Sequence, residues 1–155
     1  MQGYDYSSNG YYFITICTEK RKPIFWNNVG ADIIRPQNND TDLLLSEYGK
    51  TVKNAIESIS KHYDGVFVDR YCIMPNHVHL VIAIMLKENG RIISAPTVSC
   101  IIGQMKRIVS KQCGFSVWQK SFYDEIIRNQ TGYDEISKYI FENPMKWEED
   151  ELFCE

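Results

Sequence analysis

The sequence predicts an α+β fold, in which one antiparallel sheet carries two helices on one face. The candidate elements follow in the order strand, helix, strand, strand, helix, strand, with one extra helix at the C-terminal end. This is the order of the ferredoxin-like split βαβ arrangement. The chain has 155 residues, the size of one domain, and apolar residues make up 44% of it. That fraction is enough to build a single core.

The first half of the chain alternates between strand and helix patterns. Residues 11–18 are rich in aromatic and β-branched side chains, which predicts a first strand. Residues 43–60 repeat apolar side chains at helical spacing, which predicts a first helix. Residues 66–74 and 77–86 predict two further strands. The short Pro75-Asn76 connection between them predicts an antiparallel hairpin.

The second half adds a helix, a strand and a final helix. Residues 98–112 have one apolar face and predict an amphipathic helix that ends at Gly114. Residues 117–128 predict a fourth strand, although polar residues weaken its start. Residues 132–142 predict a short last helix, stopped by Asn143-Pro144. The two earlier helices would cover one face of the sheet and leave the other face to this last helix.

Composition narrows the class of protein. No apolar run approaches the ~20 residues that a membrane-spanning helix needs, and no secretion leader is expected. The five cysteines are odd in number and scattered, which favours reduced thiols over a disulfide framework. We therefore expect a cytoplasmic protein that makes no membrane contact.

Charge is unevenly distributed along the chain. The net charge is −3, but residues 148–155 contain five acids and no base. We interpret them as an acidic tail that follows a single domain over residues 1–147. Without the tail, 17 basic residues face 15 acidic ones. This balance permits a nucleic-acid ligand without indicating one.

A pair of histidines is the most informative feature of the chain. His77 and His79 lie one residue apart in the third predicted strand, so both imidazoles share one face, while the aliphatic side chains between and after them share the other. Two neutral imidazoles at this spacing can bind one divalent metal ion. Ordinary strand histidines satisfied by hydrogen bonds are the alternative. No cysteine pair or third nearby histidine completes a zinc site, so the pattern favours Mg²⁺ or Mn²⁺ with a third ligand from elsewhere.

The last predicted helix offers candidates for that ligand and for a nucleophile. Tyr139 and Asn143 are four residues apart and therefore share one helix face. The amide oxygen of Asn143 is a plausible third ligand for a hard cation. Tyr139 could attack a phosphate, but a tyrosine needs a metal-polarised phosphodiester to do so. Packing in the core is the alternative, and spacing alone does not distinguish Tyr139 from the other tyrosines.

Several segments resemble the single-tyrosine HUH transposases, which are IS200-like, and in particular their REP-associated branch. The matching segments are residues 3–8, 12–18, 74–81, 117–123, 127–129 and 139–144. The resemblance covers nearly the whole chain, from Gly3 to Trp147. It implies that His77 and His79 are the metal ligands, that Tyr139 is the nucleophile, and that Asn143 is in the position of the third ligand.

The resemblance also implies an activity. Such a protein is a metal-dependent single-stranded DNA endonuclease and strand transferase, which forms a 5′-phosphotyrosine intermediate and can rejoin strands. Its expected cofactor is Mg²⁺ or Mn²⁺, and its expected partner is structured single-stranded DNA, such as hairpins of REP-like elements. It would act as a monomer or homodimer. Many relatives have histidine where this chain has Glu125, which could ligate or orient the metal or be neutral.

DNA contacts are predicted from basic and aromatic side chains. Phosphate contacts are expected from Lys20, Arg21, Lys22, Lys106, Arg107 and Arg128, and base stacking from Tyr4, Tyr6 and Trp118. Two other functions stay open. One is a domesticated protein that binds hairpin DNA without cleaving it and has a regulatory role. The other is a metal-binding core with no role in nucleic-acid binding.

Overall fold

The four predicted strands form one antiparallel sheet. A computed structural model describes residues 10–27, 44–85 and 97–150 of the chain. The strands are β1 (Gly10–Cys17), β2 (Val66–Ile73), β3 (His77–Ile84) and β4 (Tyr123–Ile127). They lie in the order β2-β3-β1-β4, and every neighbouring pair is antiparallel. The predicted α+β class and strand arrangement are confirmed.

Side-chain caps fix where the helices begin. The helices are α1 (Glu47–Glu57), α2 (Ile59–His62), α3 (Val98–Cys113) and α4 (Gln130–Glu142). The side chains of Ser46, Thr97 and Asn129 accept a hydrogen bond from a backbone N–H in the first turn of α1, α3 and α4. The prediction of one helix over residues 43–60 was too long, because Ser46 caps α1 and the chain breaks at Ser58 before α2.

The core lies on the aliphatic face of the central strand β3. Val78, Leu80, Ile82 and Ile84 alternate along this face and have no exposed surface. They form one cluster with apolar residues of β1 and with the buried sides of α1 and α3. Each such large side chain contributes about 1.5–3 kcal/mol by leaving water. The second face of β3 is buried too, and α4 lies over it.

The fourth strand is shorter than the sequence predicts. The expectation was residues 117–128, but β4 begins only at Tyr123. Val117 and Trp118 are buried in the core instead, and Trp118 forms an isolated bridge with Thr18. The backbone N–H of Gln119 still donates to the carbonyl oxygen of Cys17 at the end of β1, and the Nζ of Lys106 donates hydrogen bonds to the carbonyl oxygens of Gln119 and Lys120.

The chain does not stop being helical at Asn143-Pro144. The α-helical part of α4 ends at Glu142, as predicted, but a 3₁₀ segment continues over Asn143–Glu149. Pro144 is tolerated there because a proline lacks only an N–H that the first turn leaves unpaired. Trp147 in this segment is buried and packs 6.4 Å from Trp26 and 6.0 Å from His77, measured between ring centroids. The segment therefore brings the following residues onto the sheet.

Two sequence-based expectations concern membranes and thiols. None of the helices in the described ranges is long and apolar enough to cross a membrane. The four cysteines among the described residues are free thiols. Cys154, the end of the third predicted strand at Leu86 and most of the acidic tail lie outside the described residues.

Candidate functional site

The two histidines lie side by side on the face of the sheet that α4 covers. In the strand register, His79 is opposite Thr15 of β1 and Cys72 of β2, and His77 is opposite Cys17 of β1. The ring centroids of His77 and His79 are 4.6 Å apart. Both side chains are almost completely buried, since His77 is 0% and His79 3% exposed. The structure thus places both imidazoles on one face, as the alternation of a strand requires.

The ring of His77 is held in one orientation by the hairpin turn. Its Nδ1 lies 2.7 Å from Oδ1 of Asn76. The Nδ2 of Asn76 donates to the carbonyl oxygen of Arg21 at 3.3 Å, which assigns the amide oxygen to the histidine side. The other ring nitrogen, Nε2, points toward Asp150 at 3.3 Å from Oδ2. A second residue that orients a histidine in this way is typical of metal sites.

The ring of His79 is enclosed and therefore neutral. Its Nδ1 is hydrogen-bonded to the Thr15 hydroxyl at 2.8 Å, and Phe13 stacks on it with centroids 5.4 Å apart. Burial, and next the neighbouring His77, lower the pKa of His79 to about 3, although Asp150 opposes the shift. A neutral imidazole is the form that binds a metal ion.

Tyr139 faces His79 across an open cleft. The hydroxyl of Tyr139 lies 3.5 Å from Nε2 of His79, and the ring centroids are 5.1 Å apart. Tyr139 is 40% exposed and lines this cleft. The cleft has a volume of about 840 Å³, and its lining includes His79, Tyr139, Asn143 and Asp150.

Asp150 belongs to this site, although the sequence did not indicate it. Its carboxylate and the nitrogens of His77 and His79 all lie within 4.8 Å of one another. The Asp150 side chain has no exposed surface. In the sequence this residue is one of five acids near the C-terminus and follows no helical or strand spacing. Only the path of the 3₁₀ segment brings it to the histidines.

The two other predicted ligands also reach the cleft. Asn143 is buried, at 4% exposed, and its Nδ2 has no hydrogen-bond partner among the described residues. Glu125 of β4 is exposed at the opposite rim, where its Oε2 accepts a hydrogen bond from the Tyr123 hydroxyl at 3.4 Å. Their predicted roles toward a metal ion stay predictions.

One group of predicted DNA contacts borders the site. Lys20, Arg21 and Lys22 are exposed directly after β1, and the hydrogen bond from Asn76 to the Arg21 carbonyl fixes this loop beside His77. Arg128 is exposed after β4, at the end of the sheet away from His77. Tyr4 and Tyr6 lie outside the described residues.

Three other predicted DNA contacts have different surroundings. Arg107 is exposed on α3, whereas the ammonium of Lys106 is bonded to two backbone carbonyls and its pKa is lowered by burial. The prediction that Trp118 stacks on a DNA base is wrong. It is only 6% exposed and packs 5.3 Å from Phe25 in the core, so its ring has no free face on which a base could stack.

Comparison with known proteins shows similarity to transposases along most of the chain. The model of the family described as "Transposase IS200 like" matches residues 6–143. A Haemophilus influenzae protein described only as an uncharacterized protein is 30% identical over 174 residues, covering 100% of this chain and 91% of its own length. A second H. influenzae protein, "Putative REP-associated tyrosine transposase", is 23% identical over 153 residues, covering 92% of this chain and 74% of itself.

A solved structure shows the same fold. It is described as a REP-associated tyrosine transposase bound to a REP hairpin, and it superimposes with a TM-score of 0.64 at 19% identity. The match covers 94% of this chain and 74% of the other. At this identity the likeness shows the fold alone, while the family model covers far more than half of the sequence. The chain therefore belongs to the IS200-like transposase family.

Proposed function

We propose that this protein is a metal-dependent nuclease and strand transferase that acts on single-stranded DNA, with Tyr139 as its nucleophile. One observation carries the proposal: the Tyr139 hydroxyl lies 3.5 Å from Nε2 of His79, which belongs to a buried pair of imidazoles. A nucleophile and a candidate metal site thus meet in one open cleft. Membership of the transposase family supports this interpretation.

The residues of the cleft fit a divalent cation such as Mg²⁺ or Mn²⁺. Nε2 of His77 is buried and has no hydrogen-bond partner among the residues described. His79 is kept neutral by burial, so its ring can offer a lone pair. The third protein ligand would come from the chain after Tyr139, where the sequence indicates Asn143. A bound cation would withdraw electron density from the scissile phosphate and offset the charge that develops during displacement.

The protein's own contribution is to position the tyrosine. Phe13 packs edge-on against Tyr139 at 6.3 Å between centroids, and Ile140 anchors the helix in the core. In the reaction the Tyr139 oxygen forms a bond to phosphorus and the bond from phosphorus to the 3′ oxygen breaks. The hydroxyl proton of Tyr139 passes to solvent, and the released 3′ oxygen takes a proton from solvent. The products are a 5′-phosphotyrosine and a free 3′-hydroxyl.

Strand transfer is the reverse of this step. A 3′-hydroxyl attacks the phosphotyrosine, loses its proton to solvent and forms a new phosphodiester bond, while Tyr139 leaves and regains its proton. The number of phosphodiester bonds is unchanged, so the reaction needs no nucleotide cofactor. The exposed position of Tyr139 on the open cleft is suited to this exchange of strands.

Structured single-stranded DNA is the proposed substrate. A hairpin is present in the structure of the fold relative described above, and in this chain the loop of Lys20, Arg21 and Lys22 offers cations beside His77. If these residues contact phosphates, binding should weaken with salt by about 0.7 units of log–log slope for each phosphate neutralised on a single strand. A salt-independent affinity would contradict the proposed contacts.

Covalent trapping tests the proposed function directly. The protein is incubated with a labelled hairpin oligonucleotide and Mn²⁺ and separated under denaturing conditions. We expect an SDS-stable adduct with the wild type and none with Tyr139→Phe. The matched control is Tyr133→Phe on the same helix, whose hydroxyl bonds Asp69 rather than a histidine, and it should keep the adduct. Adduct formation by Tyr139→Phe refutes the assignment, and a mobility shift without cleavage by the wild type favours a non-cleaving binder.

A further inference from the structure

We propose that Asp150 is the anionic protein ligand that completes the metal site with His77 and His79. The inference rests on the proposed function only in assuming that the histidine pair binds a divalent cation. It gives a specific role to a residue beyond α4, which the sequence groups with the acidic tail.

The distances are those expected of ligands on one cation. Nε2 of His77 and Oδ2 of Asp150 are 3.3 Å apart. Two donors that bind one small cation at about 2.1 Å lie roughly 3.0–3.5 Å from each other. All donor atoms of the three residues lie within 4.8 Å, so small side-chain rotations would bring the third donor to the same point.

The orientation of the His77 ring places one of its nitrogens against Asp150. Oδ1 of Asn76 can only accept, so Nδ1 of His77 carries the proton that forms this hydrogen bond. Nε2 is therefore the ring nitrogen directed at Oδ2 of Asp150, 3.3 Å away. A cation bound between them would accept a lone pair from Nε2 and would be attracted by the carboxylate.

Burial strengthens the attraction of this arrangement for a cation. The side chains of His77 and Asp150 have no exposed surface. Water therefore does not screen the carboxylate, and its attraction to a bound cation is stronger than at an exposed site. A carboxylate also adds a negative charge that an asparagine amide lacks, and hard cations such as Mg²⁺ and Mn²⁺ favour such a ligand.

The position of Asp150 connects metal binding to the nucleophile. Asp150 follows directly on the 3₁₀ segment Asn143–Glu149, which continues from α4 and therefore from Tyr139. A cation held by Asp150 and the two histidines would fasten this segment to the sheet. We expect Mn²⁺ to slow tryptic cleavage after Lys146, an exposed site within the segment whose side chain pairs with Glu142.

Metal titration without DNA tests the inference. Mn²⁺ binding is measured by calorimetry for the wild type, for Asp150→Asn and for the control Asp134→Asn, an exposed carboxylate on α4. The control should bind as the wild type does. Asp150→Asn should lose more affinity than the about 10- to 100-fold typical of losing an outer-shell partner, and Mn²⁺ should no longer protect Lys146 from trypsin. An affinity within about threefold of the wild type overturns the inference.

A second variant keeps the test decisive. If circular dichroism shows that Asp150→Asn does not fold in EDTA, Asp150→Glu replaces it, because glutamate keeps the charge on a longer side chain. Its affinity should be lowered, and unchanged affinity overturns the inference. The metal titration and the covalent trapping experiment can fail independently of each other. If Asp150→Asn loses metal binding but the wild type forms no DNA adduct, only the nuclease proposal is refuted. If the wild type forms adducts but Asp150→Asn binds metal as the wild type does, only this inference is refuted.

Discussion

The buried, neutral His79 should make the metal-free protein sensitive to acid. Burial and the neighbouring His77 lower the pKa of His79 from 6.5 to about 3 in the folded protein. In the unfolded chain the ring is hydrated and takes up a proton near its ordinary pKa. The unfolded state therefore binds more protons than the folded state across this interval, and the free energy of unfolding falls as the pH falls.

The size of the effect follows from the width of that interval. Each unit of pH between the two pKa values removes about 1.4 kcal/mol from the free energy of unfolding. From about pH 7 to about pH 4, His79 alone should cost on the order of 3 kcal/mol. This cost is absent well above pH 6.5 and grows progressively as the pH falls toward the folded-state pKa of about 3.

Urea denaturation in EDTA at a series of pH values measures this contribution. Other carboxylates and histidines also titrate, so the informative quantity is the difference between the wild type and His79→Asn. The variant should lose about 3 kcal/mol less stability than the wild type over the same pH range. His62→Asn, a change at an exposed histidine on α2, should follow the wild-type curve. Parallel curves for the wild type and His79→Asn would refute the reasoning.

Further predictions concern assembly and stability. Because the Tyr139 hydroxyl meets His79 of its own chain, a mixture of His79→Ala and Tyr139→Phe proteins should not recover DNA cleavage, and recovery would show exchange of the helix between subunits. Ile14→Ala, at a residue with no exposed surface, should cost about 2–5 kcal/mol in urea denaturation, and a smaller loss would mean that the core closes around the cavity. Gly103→Ala, with open space around the new methyl group on α3, should stabilise by about 0.5–1 kcal/mol. Gly114→Ala, at a φ of +85°, should instead destabilise by about 1 kcal/mol. Equal melting temperatures for the two glycine variants would contradict this reasoning.

Local patterns in the sequence determine much of the fold. The alternation of aliphatic and histidine residues in β3 fixes which face is buried against α1 and α3, since successive side chains on a strand point to opposite sides. Pro75-Asn76 predicts the hairpin, and Gly114 predicts the end of α3. In the structure Gly114 has the positive φ that such a helix end requires. The sequence predicts the ends of helices and strands less accurately than their order. The side chains of Ser46 and Lys106 form hydrogen bonds that decide where α1 begins and how the chain turns before β4, and spacing does not reveal these bonds.

The sequence by itself indicated the histidine pair and, through family resemblance, Tyr139 and Asn143. Only the tertiary structure decided that Tyr139 reaches His79 of the same chain, that Trp118 is buried in the core, and that Asp150 faces His77. The physical reason is the separation along the chain of the residues that interact. Strand alternation and helical spacing act over a few residues, whereas these contacts depend on how α4 and the 3₁₀ segment pack across the sheet. That packing depends on buried side chains from distant parts of the chain, such as Trp26 against Trp147.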